Sequence, residues 1–484
     1  MPDHRPNILW ICTDQQRWDT LGCYGADHID TPHLDELAGE GIRFQRAYCQ
    51  SPVCTPSRAS MLTGRYPRTT RCRQNGQPMP RDERLVTTHL SEAGYRCGLA
   101  GKLHLSPTNP DDNTDATTRE PARSLDDGYG TVHWSPMPGD DSPDNQYRQW
   151  LRGRGESFER TPYEGSSYVE TSMSPDNHQT AWCTDRAIEY VRTGADADHP
   201  WLFSLNYFDP HHPFDPPAAY LEKYVDRIDD LPPPNYAPGE LDDKPAVQHE
   251  AAHTGRLEGA NMSADEHRLV RAAYYAMIDF VDDQVGRLLA ELDATGQRSD
   301  TIVVFTADHG EMLGDHGIYK KGPYFYEPAV RVPLIISQPG TVHKGDIVDD
   351  LVALTDLAPT LVAAAGLEQP AGMQGRSLWP LVRTDGTTPT RPHRESVYCE
   401  FYDATKRHTD PRVNATMVRT DRYKLVTHHD TDDGELYDLA TDPVERRNRW
   451  ADPELAETKA RLLGTLADRI AGTVDPLPER LGSW

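Results

Sequence analysis

Apolar residues in this chain come in short runs that stop at charged or imidazole-bearing positions. The first, Asn7-Ile8-Leu9-Trp10-Ile11-Cys12-Thr13, has the near-continuous pattern of a parallel strand buried on both faces, and it ends at Asp14-Gln15. A second, Tyr95 to Gly101, delivers Lys102-Leu103-His104. A third, Trp201 to Phe208, ends in Asp209-Pro210-His211-His212-Pro213, and a fourth, Thr301 to Thr306, ends in Ala307-Asp308-His309-Gly310-Glu311. Open α/β sheets bind ligands along the carboxyl edge of their strands. One polar strand tip can simply start a turn, but four such tips predict a site assembled from four strands.

The intervening segments read as helices. Thr31 to Ala38 is a capped helix leading to a strand near Phe44, and Thr180 to Arg192 is a second helix. Ser263-Ala264-Asp265-Glu266 is a capping box that opens a helix through Leu292, with Gly296 as a stop. Its Leu269, Val270, Ala273, Met277, Val281, Val285, Leu288 and Leu292 recur at helical spacing and are assigned to packing on the sheet. After the run Val330 to Ile336, a helix over Thr355 to Ala365 closes an α/β unit, a mostly parallel sheet sandwiched by helices, expected over residues 1–385. A smaller unit is expected over 386–484, with strand-like pieces at Val397 to Phe401, Asn414 to Arg419, Tyr423 to Thr427 and Glu435 to Leu439, then a helix from Pro453 to Ile470. Ser106 to Asn177 and Leu231 to Gly255 lack periodicity and are expected as loop-rich excursions, either walls of a site or solvated decoration.

The net charge of −26 excludes nucleic acid and anionic lipid as partners and requires a local cationic pocket if the substrate is an anion. No apolar run approaches the length of a membrane span and no cleavable signal peptide is visible, so a cytoplasmic enzyme is expected. Eight cysteines without CxxC spacing are expected as thiols.

Cys54-Thr55-Pro56-Ser57-Arg58-Ala59-Ser60-Met61-Leu62-Thr63-Gly64-Arg65 carries the chemistry. Thr55 is a candidate helix cap, Pro56 suits the first helical position and Gly64 ends the helix, which would place Cys54 just ahead of a helix N-terminus. Unpaired N–H groups, the helix dipole and Arg58 one turn on would lower a thiol pKa and attract an oxyanion. A buried structural cysteine beside a short helix is the bland alternative. Lys102 and His104, two apart on an extended chain, would face the same side.

The ordered run Cys54-Thr55-Pro56-Ser57-Arg58 with Leu62-Thr63-Gly64-Arg65 downstream resembles the signature of the type I sulfatases of the alkaline phosphatase superfamily. The resemblance implies an alkaline-phosphatase-like fold with a C-terminal antiparallel subdomain, to which Glu435-Leu436-Tyr437-Asp438-Leu439 and Asp442-Pro443-Val444-Glu445 are similar. It implies oxidation of Cys54 to formylglycine by a formylglycine-generating enzyme. The aldehyde hydrate then attacks the sulfur of a sulfate ester. Lys102, His104, His211 and Lys321 match the family's sulfate-handling residues, with Arg58 helping to neutralise the transferring group.

Asp14, Gln15, Asp308 and His309, with the oxygen of modified Cys54, would hold one divalent cation. Oxygen donors suit Ca2+ first, and the imidazole leaves Mn2+, Mg2+ or Zn2+ open. Many sulfatases carry Asp where Gln15 stands and Asn where His309 stands. Some carbohydrate sulfatases and the phosphonate monoester hydrolases share the variant, so the substrate expected is a sulfated sugar or an aryl sulfate, with a phosphonate monoester or phosphodiester as the rival. A binding protein with unmodified Cys54 is the remote alternative. Asn75 and Arg17 are candidates for the substrate pocket, or ordinary structural residues.

Overall fold

The computed structural model describes residues 5–107, 126–194, 198–254, 257–385, 391–405 and 412–475. The strands, in chain order, begin with β1 (Asn7–Thr13), β2 (Ile42–Tyr48), β3 (Arg96–Gly101), β4 (Thr131–Trp134), β5 (Thr161–Pro162), β6 (Glu170–Thr171), β7 (Trp201–Asn206) and β8 (Thr301–Ala307). They continue with β9 (Arg331–Val332), β10 (Leu334–Ser337), β11 (Asp346–Ala353), β12 (Ser396–Tyr402), β13 (Asn414–Thr420), β14 (Tyr423–His428) and β15 (Gly434–Asp438).

A nine-stranded sheet runs β11-β2-β10-β8-β1-β7-β3-β4, with β9 paired to β2. The four strands with polar tips, β8, β1, β7 and β3, are consecutive in it and mutually parallel. All four tips therefore leave the same edge. Register narrows this further, because Thr13 pairs with Ala307 and Gly101 with Asn206. Asp14 and Asp308, the next residue on each strand, emerge side by side.

Both faces of these strands are covered, which is why they read as unbroken apolar runs. Leu9, Ile11, Phe203, Leu205, Val303 and Phe305 belong to one core with the helices Gln179–Gly194 and Ala264–Ala294. Ile8, Trp10, Leu202, Ile302 and Val304 belong to the other, with Ala59 and Leu62 of the helix Cys54–Thr63 and Leu361 of the helix Leu357–Ala364. The Ser263 hydroxyl accepts the Glu266 N–H at 3.2 Å, as a capping residue should.

The run Val330 to Ile336 is divided at Pro333, which has no N–H for a ladder, into β9 and β10, and β10 runs antiparallel to both β8 and β2. Two expectations need correction. The stretch 106–177 is not structureless, although residues 108–125 lie outside the described residues. It contains β4, which extends the sheet parallel to β3, the helix Gln146–Gly153 and the β5–β6 ribbon. Within Leu231 to Gly255 lies the helix Ala246–Thr254, and residue 255 is outside the described residues. The boundary expected between 385 and 386 abuts residues 386–390, also outside them.

A second sheet, β12-β13-β14-β15, is antiparallel throughout, and Leu462 and Leu466 of the helix Ala456–Gly472 pack against its Val418, Leu425 and Leu436. All eight cysteines are free thiols. Among the described residues no helix is long and apolar enough to cross a membrane.

The antiparallel sheet is tied to the larger one by buried charge. Lys424 of β14 lies 3.0 Å from Glu327 and 2.6 Å from Glu445, and donates to the Phe325 carbonyl at 2.7 Å. Burial alone would push the Glu327 carboxyl up, but Lys424, Arg419 and Arg331 hold it down to about 2. Because its folded pKa is depressed, its contribution to stability is present above the unfolded pKa of about 4.3 and is lost as pH falls toward 2. Lys424→Met strands two buried carboxylates and should destabilise the fold by about 3–5 kcal/mol in urea unfolding at neutral pH. Loss of stability between pH 5 and pH 3 should be shallower in that variant than in wild type; parallel curves would remove this assignment.

Candidate active site

The helix Cys54–Thr63 begins at Cys54 itself, with extended Val53 as its cap and Gly64, at φ 68°, as its left-handed stop. Thr55 is thus inside the helix, two positions past the cap it was expected to be, and its hydroxyl has no partner. The cap comes from elsewhere: Asn75 Oδ1 accepts the Thr55 N–H at 3.0 Å. Cys54 consequently sits in the first turn, above the sheet edge.

Arg58, one turn further on, is fully buried, and its guanidinium spans the two strand-tip carboxylates. Its Nε donates to Asp308 at 2.8 Å, one terminal nitrogen to Asp14 at 3.2 Å, and the other to the Lys102 carbonyl at 2.7 Å. The Cys54 sulfur then lies 3.6 Å from Asp14 Oδ1, 3.2 Å from His309 Nε2, 3.7 Å from Lys102 Nζ and 2.7 Å from Lys321 Nζ. Lys102 also pairs with Asp14 at 2.5 Å. His104 and His211 face the same sulfur. Lys102 and His104 do converge, but not on an extended chain: Gly101 has φ 98° and His104 φ 59°, so two left-handed residues turn the segment back over the nucleophile.

Electrostatics follow from this packing. Burial alone would raise the Cys54 thiol, but Lys102, Lys321 and His309 outweigh it and hold it well below the ordinary thiol range. By contrast, burial pushes the Cys72 and Cys97 thiols up to about 12. Asp14 is pushed up by burial and by the adjacent sulfur, yet Lys102, His211 and Lys321 hold it below the usual carboxylate range. Burial and Lys102 lower His104, and burial and Lys321 lower His211 to about 4, so both rings are neutral near pH 7. Nδ1–H of His211 is donated to the His212 carbonyl at 2.5 Å.

The donor set fits a divalent cation. One ligand atom each from Asp14, Cys54, Asp308 and His309 lies within 4.8 Å of all the others. His309 donates Nδ1–H to the Gly310 carbonyl at 2.9 Å, which leaves Nε2 directed at the cluster, as in many metal-binding histidines. Gln15, held at φ 65°, donates its backbone N–H to Asp308 at 3.0 Å, and its buried Oε1 has no partner. A buried amide oxygen without a protein partner, on the residue next to Asp14, adds an oxygen donor of the kind that suits a hard cation.

Residues 6–367 match the Sulfatase family model, and residues 314–471 match that of the N-sulphoglucosamine sulphohydrolase C-terminal region. The chain belongs to the sulfatase family. It is 32% identical to the uncharacterized sulfatase YidJ of Escherichia coli, over 98% of this chain and 88% of that protein. It is 27% identical to an N-acetylglucosamine-6-O-sulfatase of Bacteroides thetaiotaomicron, over 96% and 86%. Among solved structures, the phosphonate monoester hydrolase of Silicibacter pomeroyi aligns with a TM-score of 0.82 at 28% identity, covering 97% of this chain and 96% of that one. The alkaline-phosphatase-like fold is thereby shown, and the chain is an enzyme of the sulfuric ester hydrolase type.

Two candidates stand apart from the cluster. Arg17 is buried, with its guanidinium engaged by Asp19 at 2.7 Å, Asp315 at 2.9 Å and the Met312 carbonyl at 3.1 Å, so it braces the loop after β8. Asn75 adjoins Cys54 through the helix cap, and its backbone N–H donates to the Ala404 carbonyl at 3.0 Å. Sequence reasoning gave no role to Glu311 or His212, yet both contact the Gln15 amide nitrogen. Their adjacency to Asp308-His309 and His211 was the available signal. Asn75→Ala should lower stability by about 1 kcal/mol in chemical denaturation through loss of the cap, whereas Asn75→Asp keeps the acceptor and should not. Equal losses in the two variants would separate Asn75 from the helix terminus.

Proposed function

We propose that the protein hydrolyses a sulfate monoester of a carbohydrate, with Cys54 converted to formylglycine by a formylglycine-generating enzyme and one divalent cation, Ca2+ before Mn2+, Mg2+ or Zn2+. The convergence of Lys102, Lys321, His104, His211 and the Asp14–Asp308 pair on the Cys54 sulfur carries this reading. The N-acetylglucosamine-6-O-sulfatase relative supports the sugar class.

The sulfur marks where the modified residue would present its hydroxyl nucleophile. Conversion removes a thiolate and leaves three fixed cations, Arg58, Lys102 and Lys321, against the two carboxylates, a balance that attracts an anionic ester. A cation held by Asp14, Gln15, Asp308 and His309 supplies Lewis-acid polarisation of a sulfate oxygen. Lys102 and Lys321 neutralise charge on the transferring group, while Arg58, committed to the two carboxylates, keeps the donor set assembled. His104 is neutral and half-buried, and its ring meets the Cys54 sulfur, suited to take the proton released when sulfate is expelled. His211 faces the same centre with Nδ1–H committed to the His212 carbonyl, so it would hold the sulfate or protonate the leaving alcohol only after its Nε2 gains a proton beside the bound anion.

A phosphonate monoester hydrolase is the second reading, favoured by the likeness to the Silicibacter pomeroyi enzyme and by the Gln15/His309 donor pair. Lys102 with His104 argues for the sulfatase, because the phosphonate branch carries a hydroxyl side chain at the second position. The deciding measurement is kcat/KM for an aryl sulfate against the matching aryl phosphonate monoester, on protein whose Cys54 peptide has the mass of the aldehyde. Sulfate preference is expected, and phosphonate preference, or turnover by protein with unmodified Cys54, would overturn the proposal. Lys102→Ala should raise the barrier by about 2.7–4 kcal/mol, the loss typical of one transition-state donor. Near-normal turnover would remove Lys102 from the sulfate site.

A further inference from the structure

The Gln15 amide has two ends, and the structure gives them opposite surroundings. Its nitrogen faces acceptors: the Glu311 Oε2 carboxylate oxygen, and His212 Nδ1 at 3.1 Å. Its oxygen, Oε1, is buried and has no protein partner. Glu311 is itself immobilised, with zero exposure, and its other oxygen, Oε1, accepts the backbone N–H groups of Leu313, at 2.9 Å, and Lys320. Those two N–H groups belong to the loop that leads to Lys321. One carboxylate oxygen is therefore fixed on the backbone, and the other can only accept.

An acceptor-only group facing an amide dictates which way the amide points. We infer that Glu311 is a positioning residue for the cation site: it holds the Gln15 nitrogen and so turns the Gln15 oxygen toward Asp14, Asp308 and His309. The same contact explains why a neutral amide stands at position 15. A carboxylate there would place an oxygen against Glu311 Oε2 with no proton between them, in a buried setting where like charges repel strongly. His212 completes the arrangement as the acceptor for the second amide proton, which fixes its neutral ring with the proton on Nε2.

This inference rests on the reading of Asp14, Gln15, Asp308 and His309 as cation ligands, and an exchange of the two groups tests it without reference to turnover. In Glu311→Gln the carbonyl of the new side chain stays on the Leu313 and Lys320 N–H groups, so its NH2 takes the place of Oε2. The Gln15 amide must then flip to accept from it, presenting NH2 to the cation. In Gln15→Glu two carboxylates meet. In the double variant Gln15→Glu/Glu311→Gln the hydrogen bond is restored with reversed polarity, net charge is unchanged, and an oxygen again faces the cluster.

Stripped protein would be titrated calorimetrically with Ca2+ alone and with Mn2+ alone, and melting followed without cation to show that each variant is folded. The expectation is that each single variant binds at least about tenfold more weakly, the scale on which outer-shell groups act, and that the double variant recovers to within about threefold of wild type. A double variant as weak as the product of the two single losses, or a Glu311→Gln variant that binds like wild type, would overturn the role of Glu311 while leaving the cation site standing. Wild-type protein that binds neither ion would instead overturn the cation reading itself. Should Glu311→Gln alone fail to fold, recovery of folding and binding in the double variant supports the inference and its absence counts against it.

Discussion

Two carboxylates delivered side by side by the β1–β8 register cannot share a dry sheet edge unless a cation lies between them. Arg58 is that cation: fully buried, it bridges Asp308 at 2.8 Å and Asp14 at 3.2 Å. Because residues four apart on a helix share a face, a guanidinium clamped at position 58 also sets where position 54 projects. Its third contact, to the Lys102 carbonyl at 2.7 Å, draws the β3 tip into the same frame. A single side chain thus fixes Cys54, both carboxylates and the segment bearing Lys102 and His104.

Ion clusters buried to this degree contribute little net stability, since desolvation offsets most of the Coulomb gain. What they contribute is placement, because each charge is tolerated only where its partners lie. The molecule uses the device again where its two sheets meet, with Lys424 between Glu327 and Glu445 and with Arg394 on Asp356. In the first cluster the placement is that of the groups around Cys54. In the second it is the docking of the antiparallel sheet.

The parts of this design that were legible in sequence are those with a local physical cause. β1, β7 and β8 are buried on both faces, so their apolar runs stood out, and the residues after them are the ones that converge. The Ser263 capping box and Gly296 marked the long helix for similarly local reasons. β4 was not legible, since three of its four residues are only half-buried and its assignment depends on pairing with β3. The cap on the nucleophile helix was misassigned to Thr55 because the real acceptor, Asn75, is twenty residues away in sequence. The turn that brings His104 over the sulfur depends on backbone angles, which spacing alone does not disclose.

The groups around the Cys54 sulfur and the segment 73–75 beside them have different structural origins. Every group near the Cys54 sulfur is anchored to the parallel sheet or the loops after it. The segment 73–75 lies at the seam with the antiparallel sheet: Asn75 caps the helix Cys54–Thr63 with its side chain while its backbone N–H donates to Ala404. Gln74 donates to the Asp403 carbonyl at 2.9 Å, and Arg73 stacks 3.6 Å from the Tyr402 ring. Tyr402 ends β12 and residues 403–405 follow it, so the antiparallel sheet meets the helix Cys54–Thr63 through the segment 73–75. The cluster around Cys54 is thus built by the sheet edge, while the segment that caps its helix is held by the antiparallel sheet.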